Sequence, residues 1–479
     1  MASLGVARAS GRESGAEVFQ VPPTGIIVDT VSKDPDVSEM PNISRAMVRL
    51  VPQLTLPLRA RVSTSKRAKP EGMVHRVTGL FAGVGGLERG LHRSGHESVL
   101  LAESDPAARA VLAQRFPDVR LDGDVRTLRN LPVDTTLVAA GFPCQDLSQA
   151  GSTNGISGAR SGLVGEVLRL VEAHQTPWVL LENVPFMLQL GHGEAMHVLT
   201  SAFDNMGYDW AYRVVNAQAF GLPQRRRRVY FLASLRGDPR SILFADEATP
   251  LVTSSSTSTR TAYGFYWTEG VRGLGWAVGA VPTLKGGSGL GIPSSPALLL
   301  SNGNVVTLDI RDAERLQGFP ADWTRAAESV AKKGVRWKLV GNAVSVPAAA
   351  WIGRRMLNPG EPLNFSTLPM GKAHRWPNAA WNVGQGAMRI QASEWPVCYR
   401  QRSIEDFMQY QPSMLSAKAT SGFLRRTERA KLRFPAGFLE AVRRHLDVVS
   451  TGVLQPGAGQ DDAALPRAAA RAAAMYAGP

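Results

Sequence analysis

The chain has 479 residues with 54 Lys and Arg against 40 Asp and Glu, a formal net charge of +14, and two cysteines. That length exceeds a single typical core, two cysteines exclude a disulfide framework, and the lack of any CxxC or Cys/His cluster offers no metal-ligand spacing. No apolar run approaches the roughly 18 residues of a membrane span and the N-terminus lacks a signal-peptide core, so a soluble, reducing, cytoplasmic setting is expected, with the basic excess favouring nucleic acid over an anionic membrane as partner.

Residues 1–73 mix Pro, Ser and charge without periodicity, and "RARVSTSKRAKPEG" reads as a flexible basic arm. From 74 to 235 short apolar runs alternate with helical periods, the signature of βαβ units and an α/β fold with a mainly parallel sheet. Strands are expected at "HRVTGLF", "ESVLLAES", "TTLVAAGF", "WVLLENV" and "RRVYFLAS", and helices at "GGLERGLHRSG", "DPAARAVLAQRF", "SGLVGEVLRLVEAH" and "GEAMHVLTSAFDNMG". Residues 236–305 turn rich in Gly, Ser and Thr with aromatics and arginine interleaved, which marks an inserted unit. Helical text returns over 306–357. The remaining 358–479 form a C-terminal extension whose "FLRRTERAKLRFPAGFLEAVRRHL" reads as a basic helical stretch, followed by a disordered tail.

"FAGVGG" (Phe81 to Gly86) follows the first strand and opens a helix, where glycines allow a tight turn and close backbone approach to a ligand. No lysine follows, which excludes a P-loop. Glu103 of "AESD" ends the second strand, where an acidic side chain can accept hydrogen bonds from ribose hydroxyls, and Asp124 of "GDVRTL" stands near the third strand's edge. Consecutive carboxyl ends of parallel strands line one crevice, so these three sites describe an adenosine pocket. Cys144 of "GFPCQDLSQAG" comes at the next strand end and Glu182 of "LLENVP" one strand later. A lone intracellular cysteine is ordinarily a small buried apolar residue, and a lone glutamate a surface carboxylate. Together in one crevice they form a nucleophile and a proton donor. Cys398, with no such neighbours, reads as structural. "PQRRRRV" puts Gln224 at a strand entrance, where alternation sends Arg226 and Arg228 to one face and leaves Arg225 and Arg227 as a solvated edge.

In their order "FAGVGG", "GFPCQDLS", "LLENVP", "PQRRRRV", "RDAERLQGFP" and "GNAVSVP" resemble the motif set of bacterial-type DNA cytosine carbon-5 methyltransferases, over roughly Val74 to Leu357. The resemblance implies a Rossmann-like S-adenosylmethionine-dependent domain (74–235 and 306–357) with a target-recognition region inserted over 236–305. It implies Phe81, Gly83, Gly86 and Leu87 as cofactor contacts, Glu103 as ribose acceptor, Asp124 as adenine partner and Asn342 closing the pocket. It implies Cys144 as nucleophile, Glu182 as the group at ring nitrogen 3, and Arg226 and Arg228 as the paired arginines of a QxRxR motif, the second facing the cytosine's exocyclic oxygen. "SQAGSTNGISGAR", Ser148 to Arg160, takes the position of the mobile catalytic loop, so Gln145, Ser148 and Arg160 are expected at DNA, as are Arg272, Thr283 and Lys285 of the inserted region. Ser104 departs from the family, many members of which carry an aromatic after the acidic residue. Trp267 and Trp276 read equally well as core of a small subdomain.

The chemistry agrees with the residue types. Cytosine carbon 5 is a poor nucleophile, and thiolate attack at carbon 6 with a proton supplied at nitrogen 3 makes it reactive. A stacked base exposes neither face, so the nucleotide must rotate out of the duplex. The expected function is therefore methylation of a specific double-stranded DNA sequence, with a cognate restriction or other phage-defence protein as the biological partner. Two alternatives are a transfer-RNA cytosine-5 methyltransferase, disfavoured by the length of the inserted region, and a non-catalytic DNA-binding regulator, which would need neither Cys144 nor Glu182.

Overall fold

The computed structural model describes residues 72–142, 162–249, 261–288, 292, 295–332, 334–371 and 375–451. The expected basic arm before residue 72, Cys144, Gln145, the loop from Ser148 to Arg160 and the C-terminal tail lie outside the described residues.

In chain order the first part forms β1 (Arg76–Leu80), α1 (Gly86–His92), β2 (Glu97–Ala102), α2 (Pro106–Arg115), β3 (Arg120–Asp122), β4 (Leu137–Ala140), α3 (Leu163–His174), β5 (Trp178–Asn183), α4 (Glu194–Asn205), β6 (Asp209–Asn216), β7 (Gln224–Arg225), β8 (Arg227–Ser234) and α5 (Arg240–Leu243). The local causes are visible. Asp105 caps α2 by accepting a hydrogen bond from the Ala107 amide at 2.9 Å, and Pro106 occupies the first turn, where its missing N–H costs nothing. In α4 the buried Met196, Leu199, Thr200 and Phe203 recur at helical spacing, giving one apolar face to the sheet.

The inserted region supplies β9 (Tyr263–Phe265), β10 (Trp276–Val278), β11 (Val281–Pro282), β12 (Ala297–Leu299) and β13 (Val305–Thr307). Then come α6 (Ile310–Leu316), α7 (Val335–Asn342), α8 (Val346–Leu357), β14 (Thr367–Pro369), β15 (Ala379–Asn382), β16 (Met388–Ile390), α9 (Ile404–Phe407), β17 (Ser413–Met414), α10 (Ala417–Thr427) and α11 (Phe438–Thr451).

The ten-stranded sheet runs β14-β16-β15-β6-β8-β5-β4-β1-β2-β3. Strands β3, β2, β1, β4 and β5 are mutually parallel, whereas β8 is antiparallel to β5 and to β6. "RRVYFLAS" thus forms the expected strand in the reverse direction, because the ten residues between β6 and β8 leave no room for a crossover helix. Helices α3 and α4 cover one face through Val167, Val171, Leu199 and Phe203, and α1 and α8 cover the other through Leu87, Leu91, Ala349 and Ile352. The chain order reverses about β1, between β2 on one side and β4 on the other, which is where a doubly wound sheet opens its ligand crevice.

The second sheet, β10-β9-β12-β13-β17, is antiparallel and takes its last strand from the C-terminal extension. Helices α10 and α11 cover it, with the Phe423 ring 4.6 Å and the Phe438 ring 5.2 Å from that of Phe265. Trp276 packs edge-on to Tyr263 and donates to the Arg433 carbonyl, and Trp267 is half-buried in the same cluster, so both tryptophans are subdomain core. Residues 236–249, at the head of the expected recognition region, are bound to the catalytic sheet. Arg213 donates to the carbonyls of Leu243 (2.9 Å) and Asp246 (2.7 Å), and Trp351 to the Asp246 carboxylate.

Helices α1 and α8 cross at Gly90, where an added Cβ would lie 2.4 Å from the Ala349 Cβ and 2.7 Å from the Val346 carbonyl oxygen. Gly90→Val is therefore expected to force the two helices apart and lower stability by roughly 1–3 kcal/mol, read as a drop in melting temperature.

Candidate active site

A cavity of about 590 Å³ opens over the carboxyl ends of β1, β2 and β3. Phe81, Gly83, Leu87, Glu103, Asp124, Asn342 and Glu182, all expected from the sequence, line it. The turn after β1 is tight, with Phe81 at φ 53°, Gly83 at φ 56° and Gly85 at φ 81°. A left-handed phenylalanine is costly and persists only where its surroundings hold it. The Trp323 indole supplies part of that hold by donating to the Val84 carbonyl at 2.8 Å. Gly86 does not line the cavity. It is a glycine because an added Cβ would come 2.7 Å from the Val344 carbonyl oxygen, so its smallness lets α1 approach the "GNAV" turn.

Glu103 accepts the Gly83 amide on one carboxylate oxygen and the Asp105 amide on the other, each at 2.8 Å. These bonds fix its orientation and leave a lone pair on each oxygen for a hydroxyl pair in the cavity. Asp124 is gripped by Arg126, whose terminal nitrogen lies 2.6 Å from its carboxylate, and this side-chain bond holds the carboxyl below its usual range. Ser104 lines the wall where a family aromatic would stand, so that position offers no ring for stacking. Across the mouth, Lys338 of α7 pairs with Asp105 at 2.9 Å, a clasp the sequence did not announce because its partners are separated by the whole fold.

Glu182 ends β5 and is buried against Gly141, the residue after β4, whose added Cβ would lie 3.6 Å from Oε2. Burial raises its pKa, while Arg228, whose Nε lies 3.0 Å from Oε1, and Arg226 oppose the rise. Beside it the Asn183 amide donates to the Phe142 carbonyl at 3.0 Å. That bond ties the end of β5 to the chain two residues before Cys144, which itself lies outside the described residues, as do Gln145, Ser148 and Arg160.

The two arginines of the QxRxR motif differ sharply. Arg228 faces Glu182. Arg226 is fully buried and donates to the carbonyls of Leu284 (3.0 Å), Gly341 (3.3 Å) and Ala343 (2.6 Å), so it positions the neighbouring turns. Gln224 works alongside: its amide donates to the Leu316 carbonyl at 2.8 Å, and its oxygen accepts the Leu284 amide at 3.0 Å. The "RDAERLQGFP" segment supports the same turn, with Glu314 paired to Arg336 of α7 at 2.8 Å and the Gln317 amide donating to the Val340 carbonyl at 2.8 Å. Of the inserted residues expected at DNA, Arg272 is exposed. Thr283 donates to the Arg225 carbonyl at 2.6 Å. Lys285 sits 4.1 Å over the Tyr266 ring and pairs with Glu269 at 3.2 Å.

With this geometry in view, the chain matches the family model of C-5 cytosine-specific DNA methylases over residues 75–264. It is 46% identical over 385 residues to the type II methyltransferase M2.BsuMI of Bacillus subtilis, spanning 78% of this chain and 98% of that protein. It is also 29% identical over 323 residues to the type II methyltransferase M.HaeII of Haemophilus aegyptius, covering 62% of this chain and 97% of that protein. Among solved structures, the S. pombe Dnmt2 methyltransferase aligns at 16% identity with a TM-score of 0.40, over 61% of this chain and 100% of that one. The chain belongs to the C-5 cytosine-specific DNA methylase family. It is a DNA cytosine-5 methyltransferase. Among the described residues no helix is long and apolar enough to cross a membrane.

Arg226→Met removes three hydrogen bonds and strands three carbonyls, so stability is expected to fall by roughly 1–3 kcal/mol in denaturant unfolding, together with loss of methylation. Arg225→Met, at an exposed guanidinium, is expected to leave the unfolding midpoint in place.

Proposed function

We propose that this enzyme methylates cytosine carbon 5 in a specific duplex sequence through a covalent bond between Cys144 and carbon 6 of a flipped-out base, as the modification component of a restriction-modification pair. The biological role rests on the type II relatives. The chemical reading rests on one observation above all. Glu182 is a buried carboxyl whose pKa is raised by burial, at the strand end next to the one that leads into Cys144.

A carboxyl that keeps its proton more readily than a surface glutamate suits donation at cytosine nitrogen 3. Attack by the Cys144 thiolate at carbon 6 then places electron density at carbon 5. The ring gains a bond to sulfur and its nitrogen 3 gains the proton. Once carbon 5 has taken the methyl group, loss of its proton, return of the nitrogen 3 proton to Glu182 and departure of the thiolate restore aromaticity. Arg228, ion-paired to Glu182, stands where it can hold both the carboxyl and the base's exocyclic oxygen.

S-adenosylmethionine fits the cavity by its donor set. Glu103 presents oriented acceptors for ribose hydroxyls, Asp124 an acceptor for the adenine amino group, and the glycine turn leaves open space at Gly83, where an added Cβ would meet nothing within 4 Å. When bound, this cofactor supplies the methyl group as a sulfonium electrophile. The chain's part would be to hold it by Phe81, Gly83, Leu87, Glu103, Asp124 and Asn342.

A duplex with 5-fluorocytosine at the target position tests the covalent step. Fluorine cannot leave carbon 5 as a cation, so the thiolate is stranded and a denaturant-resistant adduct is expected only with S-adenosylmethionine present, mapping to Cys144. Cys398→Ser should trap normally and Cys144→Ser should not, since an alcohol is a far poorer nucleophile than a thiolate. Trapping by Cys144→Ser would sink the mechanism.

Sequence reading is assigned to the second sheet. Because β17, α10 and α11 complete that sheet, exchanging residues 261–305 together with 404–451 for those of a relative of different specificity is expected to change the methylated sequence while activity is retained. Bisulfite sequencing of host DNA reads the outcome, and an unchanged pattern in an active chimera would overturn the assignment.

A further inference from the structure

The third residue of α1 carries a group for which neither the motif set nor the proposed mechanism has a use. Glu88 is 1% exposed, and among the described residues neither of its carboxylate oxygens has a hydrogen-bond partner. The side chain lies over β1 where Gly79 makes room for it, an added Cβ there falling 2.2 Å from Oε1. The carboxyl lines the same cavity as Glu103 and Asp124. An unpaired buried acid is expensive, and without a cation it lowers the cost by keeping its proton. Burial, reinforced by Glu103, pushes Glu88 up to about 8.

The other acids on the cavity wall are already satisfied. Asp105 pairs with Lys338, Asp124 with Arg126, Glu166 with Arg169 at 2.8 Å and Glu182 with Arg228, while Glu103 accepts two backbone amides. The helix packed on α1 brings no cation to Glu88, since Arg355 of α8 is bound to Asp246 and Arg354 reaches the Tyr399 hydroxyl. Among the described residues no basic side chain pairs with Glu88. Asp124, Glu103 and Glu88 lie over β3, β2 and β1, which are neighbours in that order in the sheet. Adenine, ribose and amino-acid end succeed one another along S-adenosylmethionine in the same order, so a cofactor lying along these groups would bring its amino-acid end to Glu88.

We propose that the carboxylate of Glu88 is the counter-ion of the α-ammonium group of the bound cofactor, giving up its proton to solvent as the cofactor enters. This rests on the reading that the cavity holds S-adenosylmethionine. The ammonium keeps its protons and the carboxyl loses one, so binding below the group's own titration range releases a proton. It also makes the pair independent of the methyl group, because the demethylated product keeps its ammonium and loses only the sulfonium charge.

Isothermal titration of the full-length protein at pH 7, in buffers of different ionisation enthalpy, tests the inference without turnover. With S-adenosylhomocysteine the wild type is expected to release close to one proton on binding. Glu88→Gln is expected to release none and to bind S-adenosylmethionine and S-adenosylhomocysteine at least tenfold more weakly, by the same factor for both. Methylthioadenosine, which lacks the amino-acid end, should bind wild type and variant alike. Folding of the variant is checked by its melting curve. Without cofactor, wild-type stability should fall relative to that of Glu88→Gln as pH rises from about 5 to about 8, because folded Glu88 holds a proton that the unfolded state has lost. A loss confined to S-adenosylmethionine would make the sulfonium the partner and overturn the proposal. Unchanged proton release in the variant, or equal weakening of methylthioadenosine, would overturn it too. A wild type that binds none of the three would instead remove the cofactor reading of the cavity, and the proposal with it.

Discussion

Three backbone carbonyls from two distant stretches of chain, those of Leu284, Gly341 and Ala343, converge on the guanidinium of Arg226. A buried arginine has five N–H groups and no acceptor, so it holds its position only where carbonyls meet it in a fork. Here that fork joins the entrance of β8, the inserted region and the turn between α7 and α8. The consequences reach the site from both sides. The "GNAV" turn fixes where α7 ends, and with it Asn342 and Lys338 at the cavity mouth. Leu284 follows β11, which pairs in parallel with β7, so it holds the inserted region beside Arg225 and the strand that carries Arg228.

The electrostatics of the crevice follow from that arrangement. Six carboxyl groups lie around one cavity in a protein whose net charge is positive, and each except Glu103 and Glu88 is matched by a basic side chain. Matching is what allows acids to crowd together without mutual repulsion driving them to protonate. Glu182 and Glu88 are the exceptions in degree, because burial outweighs their surroundings and raises both. Glu182 stands at the strand end next to the one that leads toward Cys144, and Glu88 lies over β1. On the proposed reading, desolvation of the same residue type serves proton supply at one place and charge complementarity at the other.

Much of the catalytic half was legible in the sequence, because its signals are local. A βαβ unit needs an apolar run, a turn and a helical period within about thirty residues, and "HRVTGLFAGVGGLERGLHRSG" carries all three. β6 was missed because every residue of "DWAYRVVN" is buried, so no polar alternation marks it, and its Arg213 and Asp209 read as surface residues. β14, β15 and β16 were missed because strands of three or four residues carry too little pattern, although they extend the main sheet. The inserted region was visible as a change of composition. Its completion by β17, α10 and α11 was not, since pairing between residues 306 and 414 depends on a contact more than a hundred residues apart.

The sequence by itself determined the order of the strand-end groups, the glycine turn, the acids at the ends of β2 and β5 and the positive charge that suits DNA, because each depends on residue type and short spacing. Only the tertiary structure decided which of two neighbouring arginines faces Glu182 and which is locked among carbonyls, that Gly86 makes room for a backbone and not for a ligand, and that Glu88 stands on the cavity wall unpaired among the described residues. These outcomes depend on which groups from remote segments meet in a space closed to water. Burial and partner count, the quantities that set the charge state of a carboxyl, are properties of that enclosure and have no counterpart in local sequence.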